Sequence, residues 1–253
     1  MTPERFQELA EQGHNRIPLM REVLADLDTP LSTYLKLADG TYSYLFESVQ
    51  GGEKWGRYSI IGMPARTVIR VYGHRVEVHE DGRIIHEEEV ADPLEWIEAY
   101  KAQINVAEVP GLPAFTGGLV GYFGYDTIRY IEPRLAQCPN EDQLGTPDIL
   151  LMVSEEVVVF DNLKGKLYII VHANPGQGGA YGIAERRLTT LESKLRAPTP
   201  RPDAAKPVNI EEEDFISGFT QTGFEEAVSK ARRYITDGDI MQVVLSQRLT
   251  VPY

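Results

Sequence analysis

Apolar and polar positions alternate so as to divide the chain into short strands joined by tight turns, with helical stripes set between groups of strands. Thr2-Pro3-Glu4 puts a capping hydroxyl before a proline at the first helical position, and Phe6, Leu9 and Ala10 then share one side of a helix ending near Gly13. Ile17 to Leu24 contains Pro18, which has no amide to give to a neighbour, so it predicts an edge strand. Thr29-Pro30 repeats the cap, and Leu31, Tyr34 and Leu35 at i, i+3 and i+4 predict a short helix closed by Asp39-Gly40. Tyr42 to Val49 has period two, with Tyr42, Tyr44, Phe46 and Ser48 on one side and Ser43, Leu45, Glu47 and Val49 on the other. Thr67 to Glu88 reads as strands turned at Gly73-His74 and Asp81-Gly82. Asp92-Pro-Leu-Glu95 opens a helix striped by Leu94, Ile97, Lys101 and Ile104.

Further along, Phe115 to Glu132 is rich in glycine and aromatics. Its Gly118, Gly121 and Gly124 do not have dinucleotide-loop spacing, and they predict a strand whose backbone is approached closely, followed by a helical turn pairing Asp126 with Arg129. Ile149 to Phe160 and Lys166 to Ala173 read as two strands of a hairpin turned at Asp161 to Gly165. Pro175 to Gly182 leads into a helix striped by Ala184, Leu188, Leu191 and Leu195; a phosphate loop would need a Gly-Lys-Ser/Thr ending, which is missing, so a flexible connection is expected. Pro198, Pro200, Pro202 and Pro207, followed by Glu211 to Asp214, form a linker, giving a domain at 1–196, a linker at 197–214 and a second unit at 215–253. In that unit Thr222-x-x-Glu225 is a capping box, Phe224, Val228, Ala231, Tyr234 and Ile235 make a stripe, Gly238 ends the helix, and Ile240 to Val251 reads as a strand. A helix and a strand without partners make the chain read as the first part of a longer protein. Strands outnumber helices and are mostly hairpin-linked, so the expected class is α+β, antiparallel sheets flanked by helices.

Composition narrows the function. A chain of 253 residues with 42% hydrophobic and 25% charged residues can bury a sizeable core. Its 38 acids against 25 bases give a net charge of −13, which argues against a nucleic-acid or anionic-membrane partner. Cys138 is the single cysteine, so an internal disulfide and a Cys-based zinc site are excluded. With no apolar stretch for export or for crossing a membrane, the cytoplasm is the expected compartment. His74, His79 and His86 fall in the predicted hairpins, where a metal site is conceivable and exposed polar residues are the simpler reading.

The stretch with the most chemistry is Tyr44 to Gly62. A zwitterion needs a carboxylate for its ammonium, donors for its carboxylate and an apolar wall, and Glu47, Ser48 and Arg57 with Phe46, Trp55 and Tyr58 supply those groups. The alternative is a strand, a Gly51-Gly52 turn and a second strand with its charges in solvent. Regular alternation sends Glu47 and Ser48 to opposite faces, so both side chains reach one ligand only if the strand ends there.

Tyr44-Leu-Phe-Glu-Ser48 with Trp55-Gly-Arg-Tyr-Ser59, Gly117-Gly-Leu-Val-Gly-Tyr122 with Tyr125-Asp126, and Gly238 to Val244 with Ser246-Gln-Arg248 together resemble the N-terminal part of anthranilate synthase component I. The resemblance runs from the first helix to the last residue. It implies stacked sheets flanked by helices, with residues after the linker opening the chorismate-binding domain. It also implies a magnesium-dependent conversion of chorismate to anthranilate and pyruvate, with ammonia from a separate glutaminase subunit, in tryptophan biosynthesis. Leu45, Phe46, Glu47 and Ser48 map onto the family's tryptophan feedback element, with Phe46 where leucine is commoner. Arg57 falls near a basic residue of the inhibitor site, across a loop of variable length. The family's chorismate and magnesium ligands map to no residue here, so no catalytic, cofactor or metal residue is assigned and the chain alone is expected to be inactive. A non-catalytic tryptophan-binding or glutaminase-docking module is the alternative of a different class, and a fragment of the related aminodeoxychorismate synthase component I, which shares the architecture, is a further alternative.

Overall fold

The computed structural model describes residues 1–47, 56–138, 142, 144–200 and 209–251. Two compact units are present, Met1–Pro200 and Arg201–Tyr253. The first runs α1 (Pro3–Glu11), β1 (Ile17–Leu24), α2 (Pro30–Leu37), β2 (Tyr44–Phe46), β3 (Tyr58–Gly62), β4 (Thr67–Tyr72), β5 (Arg75–Glu80), β6 (Arg83–Glu89), α3 (Pro93–Ala102), β7 (Gly118–Phe123), α4 (Ile128–Ile131), β8 (Ile149–Ser154), β9 (Glu156–Asp161), β10 (Lys166–Ala173) and α5 (Ala180–Leu195). The strands form two five-stranded sheets, ordered β1-β10-β9-β3-β2 and β6-β5-β4-β8-β7, and every pairing in them is antiparallel. This is the expected α+β class.

Local chemistry sets the helix ends. Thr2 Oγ1 accepts from the Arg5 amide at 3.2 Å, Thr29 and Ser32 cap each other's backbone, and Asp92 accepts from the Leu94 amide at 2.8 Å. Leu9, Leu37, Leu188 and Leu191 bring α1, α2 and α5 onto Leu19, Ile61, Val158 and Ile169 of the first sheet. On α2 the buried positions are Thr33 and Leu37, and the expected stripe residue Leu31 is exposed in the first turn. Ile97 brings α3 onto Ile69, Val71, Val76 and Val78 of the second sheet. The opposite faces carry two further clusters that share Phe115, one with Val68, Val120 and Met152, the other with Val157, Val159 and Ile170.

Three strand expectations are corrected. Ile149 to Phe160 is not one strand: β8 lies between β4 and β7 in the second sheet, and β9 lies between β10 and β3 in the first, with the change at Glu155. Both halves are central strands covered on two faces, so both read as continuous apolar runs. The run Tyr42 to Val49 begins later than its alternation suggests, because Tyr42 has φ 59°, outside the strand region, and the ladder covers only Tyr44 to Phe46; Ser48 and Val49 lie outside the described residues. In the second unit, among the described residues, Ile240 to Val251 pairs only through Leu249–Thr250 (β12) with Ile216–Ser217 (β11), since a strand needs a partner ladder and those are the residues supplied with one. Its helix α6 (Gln221–Asp237) is capped by Thr220, which accepts from the Gly223 amide at 3.1 Å, rather than by Thr222; Gly238 ends it at φ 83° as expected.

Of the three glycines expected to be closely approached, Gly121 and Gly124 are, a Cβ on Gly124 lying 2.9 Å from the Asp148 carbonyl oxygen, whereas Gly118 has no atom within 4 Å and is a glycine for its φ of 140°. A Cβ on Gly121 would lie 1.9 Å from the Leu150 carbonyl oxygen, and one on Gly117 2.4 Å from that of Ser154. Asp126 accepts from Arg129 Nε at 2.5 Å on the following turn. Gly121→Ala should therefore cost about 3 kcal/mol in urea unfolding, because backbone must move to admit the methyl group. Gly178→Ala, with no atom within 4 Å, should stay within about 0.5 kcal/mol; equal losses at the two positions would remove this account of Gly121.

Candidate functional site

The candidate site is the mouth of the connection between β2 and β3, at one edge of the first sheet. Tyr44 pairs with Gly62, Leu45 with Ile61 and Phe46 with Ile60, and the ladder ends there. Gly62 is required by its partner, because a Cβ on it would lie 1.9 Å from the Tyr44 ring. The Tyr44 hydroxyl and Ser154 Oγ are 2.8 Å apart, a buried hydrogen bond that ties β2 to the end of β8 in the other sheet. Burial raises the Tyr44 phenol pKa, so the hydroxyl stays neutral. The Phe46 ring stacks at 4.9 Å on Tyr44 and is 54% exposed.

The residues expected to bind an amino acid have different surroundings. Leu45 turns to the helix-covered core of the first sheet. Glu47 follows the last ladder residue and is exposed. Ser48 and Trp55 lie outside the described residues. Arg57 spends its fork inside the protein: Nε donates to Asp161 Oδ1 at 3.0 Å and Nη2 to Oδ2 at 2.6 Å. Its guanidinium carbon sits 4.8 Å from the centre of the Tyr58 ring. Tyr58 is half-buried against the cluster containing Val157 and Tyr168.

Asp161 is the residue of this mouth that the sequence reading did not single out. It is 2% exposed and also accepts from the Lys164 amide at 3.2 Å, which closes the β9–β10 turn. The hydrogen bonds from Arg57 hold its carboxyl below the usual carboxylate range. Asn162 completes the clamp, its amide donating to the Arg57 carbonyl at 2.8 Å and its Nδ2 to Ser59 Oγ at 3.3 Å. An acid ending the apolar run Val157 to Phe160 was the signal available in the sequence. The other histidines of interest are engaged locally, His79 with Glu77 at 2.8 Å and His86 with Glu88 at 3.1 Å, and His74 lies 3.1 Å from the Val90 carbonyl. Among the described residues no group of three or more His, Cys, Asp or Glu could hold a metal ion.

Known proteins give this geometry its context. Residues 49–253 match the family model of chorismate binding enzymes, so the chain belongs to that family. It is 56% identical to anthranilate synthase component 1 of Pseudomonas aeruginosa over 259 aligned residues, covering 100% of this chain and 52% of that protein. The corresponding Pseudomonas putida protein is 53% identical, with 100% of this chain and 52% of the relative covered. The crystal structure of anthranilate synthase component I from Streptococcus pneumoniae matches with a TM-score of 0.59 at 28% identity, over 90% of this chain and 48% of that one. The chain thus spans about half the length of the curated relatives it matches, and the resemblance carried by its three motifs is borne out.

Two stability predictions follow from the clamp and its neighbourhood. Removing one partner of a buried ion pair costs about 3–5 kcal/mol, and with the Arg57 side chain 29% exposed the loss for Asp161→Asn should be nearer 2–3 kcal/mol. The wild-type contribution is complete above the unfolded aspartate pKa and is lost as pH falls through the lower folded value. Glu47→Ala should change urea unfolding by less than about 0.5 kcal/mol, and a larger loss would mean that Glu47 is structural.

His172 beside the sheet junction gives a third. Burial pushes its pKa down to about 4, and its Nε2 is buried with no partner. The unfolded chain then binds the extra proton between pH 6.5 and about 4, so stability rises with pH through that window, by about 1.4 kcal/mol per unit at most. His172→Gln should flatten that slope in pH-dependent unfolding; an unchanged slope would assign it elsewhere.

Proposed function

We propose that this chain is part of the chorismate-using subunit of anthranilate synthase, a lyase that forms anthranilate and pyruvate from chorismate with ammonia supplied by a glutaminase subunit. In this reading residues 1–196 form the regulatory domain, 197–214 the linker and 215–253 the start of the chorismate-binding domain, in a cytoplasmic enzyme of tryptophan biosynthesis. Identity of 56% across the whole chain to a protein of that name is the observation that carries the proposal. The family match crosses the boundary at Pro200, which supports a function shared by both units.

The tryptophan feedback site is proposed at the β2–β3 mouth. With the ladder ended at Phe46, the exposed Glu47 offers its carboxylate to an ammonium, and Ser48, next in sequence, supplies a hydroxyl. Arg57 then acts by fixing the far side of the mouth through Asp161, and Leu45 by anchoring β2 to the core. Magnesium is expected of the reaction, but the described side chains do not fit such a site, so no step is drawn through it. The exposed Glu47 at the end of the β2 ladder also suits a second reading, in which these residues serve tryptophan binding or glutaminase docking without chemistry. No described helix is long and apolar enough to cross a membrane.

The chain by itself should release no fluorescent anthranilate from chorismate, ammonia and magnesium. A chimera joining it to the remaining half of the Pseudomonas aeruginosa relative should be active and inhibited by tryptophan. In that chimera Glu47→Gln or Ser48→Ala should raise the half-inhibitory tryptophan concentration about tenfold, a loss of ~1.4 kcal/mol, with uninhibited activity unchanged. Product from the chain alone, or inhibition indifferent to both substitutions, would sink the corresponding part of the proposal.

A further inference from the structure

The second sheet carries a separate cavity of about 500 Å³ beneath the C-terminal half of α3. That volume suits a small molecule. Its floor is apolar, with Val78 from β5 and Ile85 from β6. Ile85 reaches the floor because β6 bulges there: Val78 pairs with His86 and His79 with Ile84, leaving Ile85 as the extra residue turned to the same side as its neighbour. Three rings form a ladder along the wall, His86 stacked on Trp96 at 6.1 Å and Trp96 on Tyr100 at 5.5 Å.

The carboxyl groups in the lining stand beside one imidazole, that of His86. Glu80 and Glu88 line the cavity, and no lysine or arginine does. Glu88 accepts from Trp96 Nε1 and lies 3.1 Å from His86 Nε2, so its carboxylate is oriented by an indole and an imidazole, with no lysine or arginine among these contacts. Those hydrogen bonds, from His86 first and Trp96 second, lower the Glu88 pKa and keep it ionised. Glu80 is 3.7 Å from Arg66, whose fork is occupied by Asp81. Gln103, the C-cap of α3, also lines the cavity, so the negative end of the helix faces it.

We propose that this cavity binds a small organic cation, an amine or quaternary ammonium with an apolar body. The aromatic faces and Glu88 meet the charge, and Val78 and Ile85 meet the body. An anion finds no lysine or arginine in the lining and meets Glu80 and Glu88 there, and a neutral apolar guest would desolvate the carboxylates without return. A bare metal ion would lack a donor set among the described residues. The proposal is independent of the tryptophan site.

The chain has two tryptophans, Trp55 and Trp96, so a Trp55→Phe background leaves Trp96 as the reporter in the cavity wall. Titration with tetraethylammonium chloride, at ionic strength held constant with sodium chloride, should change its emission saturably in the millimolar range. The neutral analogue 3,3-dimethylbutan-1-ol should bind at least about tenfold more weakly, because it lacks the charge that the rings and carboxylates attract. Glu88→Gln keeps an acceptor for Trp96 and should weaken the cation about tenfold; Tyr100→Leu keeps bulk without a π-face and should act in the same direction. Far-ultraviolet circular dichroism checks that each variant is folded. No saturable change, equal binding of the alcohol, or wild-type binding by both folded variants would overturn the proposal.

Discussion

The corner at Glu155 is the constraint on which the first unit depends. There one apolar stretch leaves the second sheet as β8 and enters the first as β9, taking a central place in both. The backbone is held on each side: the His172 amide donates to the Glu155 carbonyl at 2.9 Å, and the Met63 amide to that of Glu156 at 3.0 Å. The two carboxylates are held from outside, Glu155 by Arg16 Nε at 2.7 Å and Glu156 by the fork of Arg187 at 2.8 and 2.7 Å. Two adjacent acids at a partly buried turn would repel; two guanidinium groups, one from Arg16 just before β1 and one from α5, turn that cost into a tie to the corner.

The candidate site inherits its geometry from that corner. Ser154 is the last residue of β8, and its hydroxyl holds the Tyr44 phenol, so the edge strand β2 is fixed at one end to the opposite sheet. Its other end is released after Phe46. Across the mouth, β3 is pinned to the β9–β10 turn by the Arg57–Asp161 fork. An exposed carboxylate that follows a fixed strand is suited to a polar ligand, because the strand needs no further ordering when it binds.

Much of this could be read from the sequence because local rules and tertiary structure agreed. Thr2-Pro3, Thr29-Pro30 and Asp92-Pro93 open helices where expected, and the turns at Gly73 and Asp81-Gly82 carry the positive φ values that such hairpins need. The corner was hidden because β8 and β9 are both doubly covered, which removes the alternation that would separate them. Leu31 failed as a stripe residue because eight helical residues define the direction of a face poorly. At the site, Glu47 and Arg57 were legible as charges. Their division of labour was not, since the partner of Arg57 is 104 positions away in the chain.

That division also limits what inhibition could act through. A ligand shifts an equilibrium only by its different affinity for two states. Under the feedback reading, Arg57 contributes little such difference while both arms of its fork remain on Asp161, because exchanging that buried carboxylate for another returns only what it gives up. Glu47 is not so committed: it is exposed, beyond the last ladder pair. A charge-assisted bond formed there is gained in one state and absent in the other. The three-residue β2, short enough to leave its neighbour unpaired yet held through Tyr44, is therefore the element on which a ligand at this mouth would act.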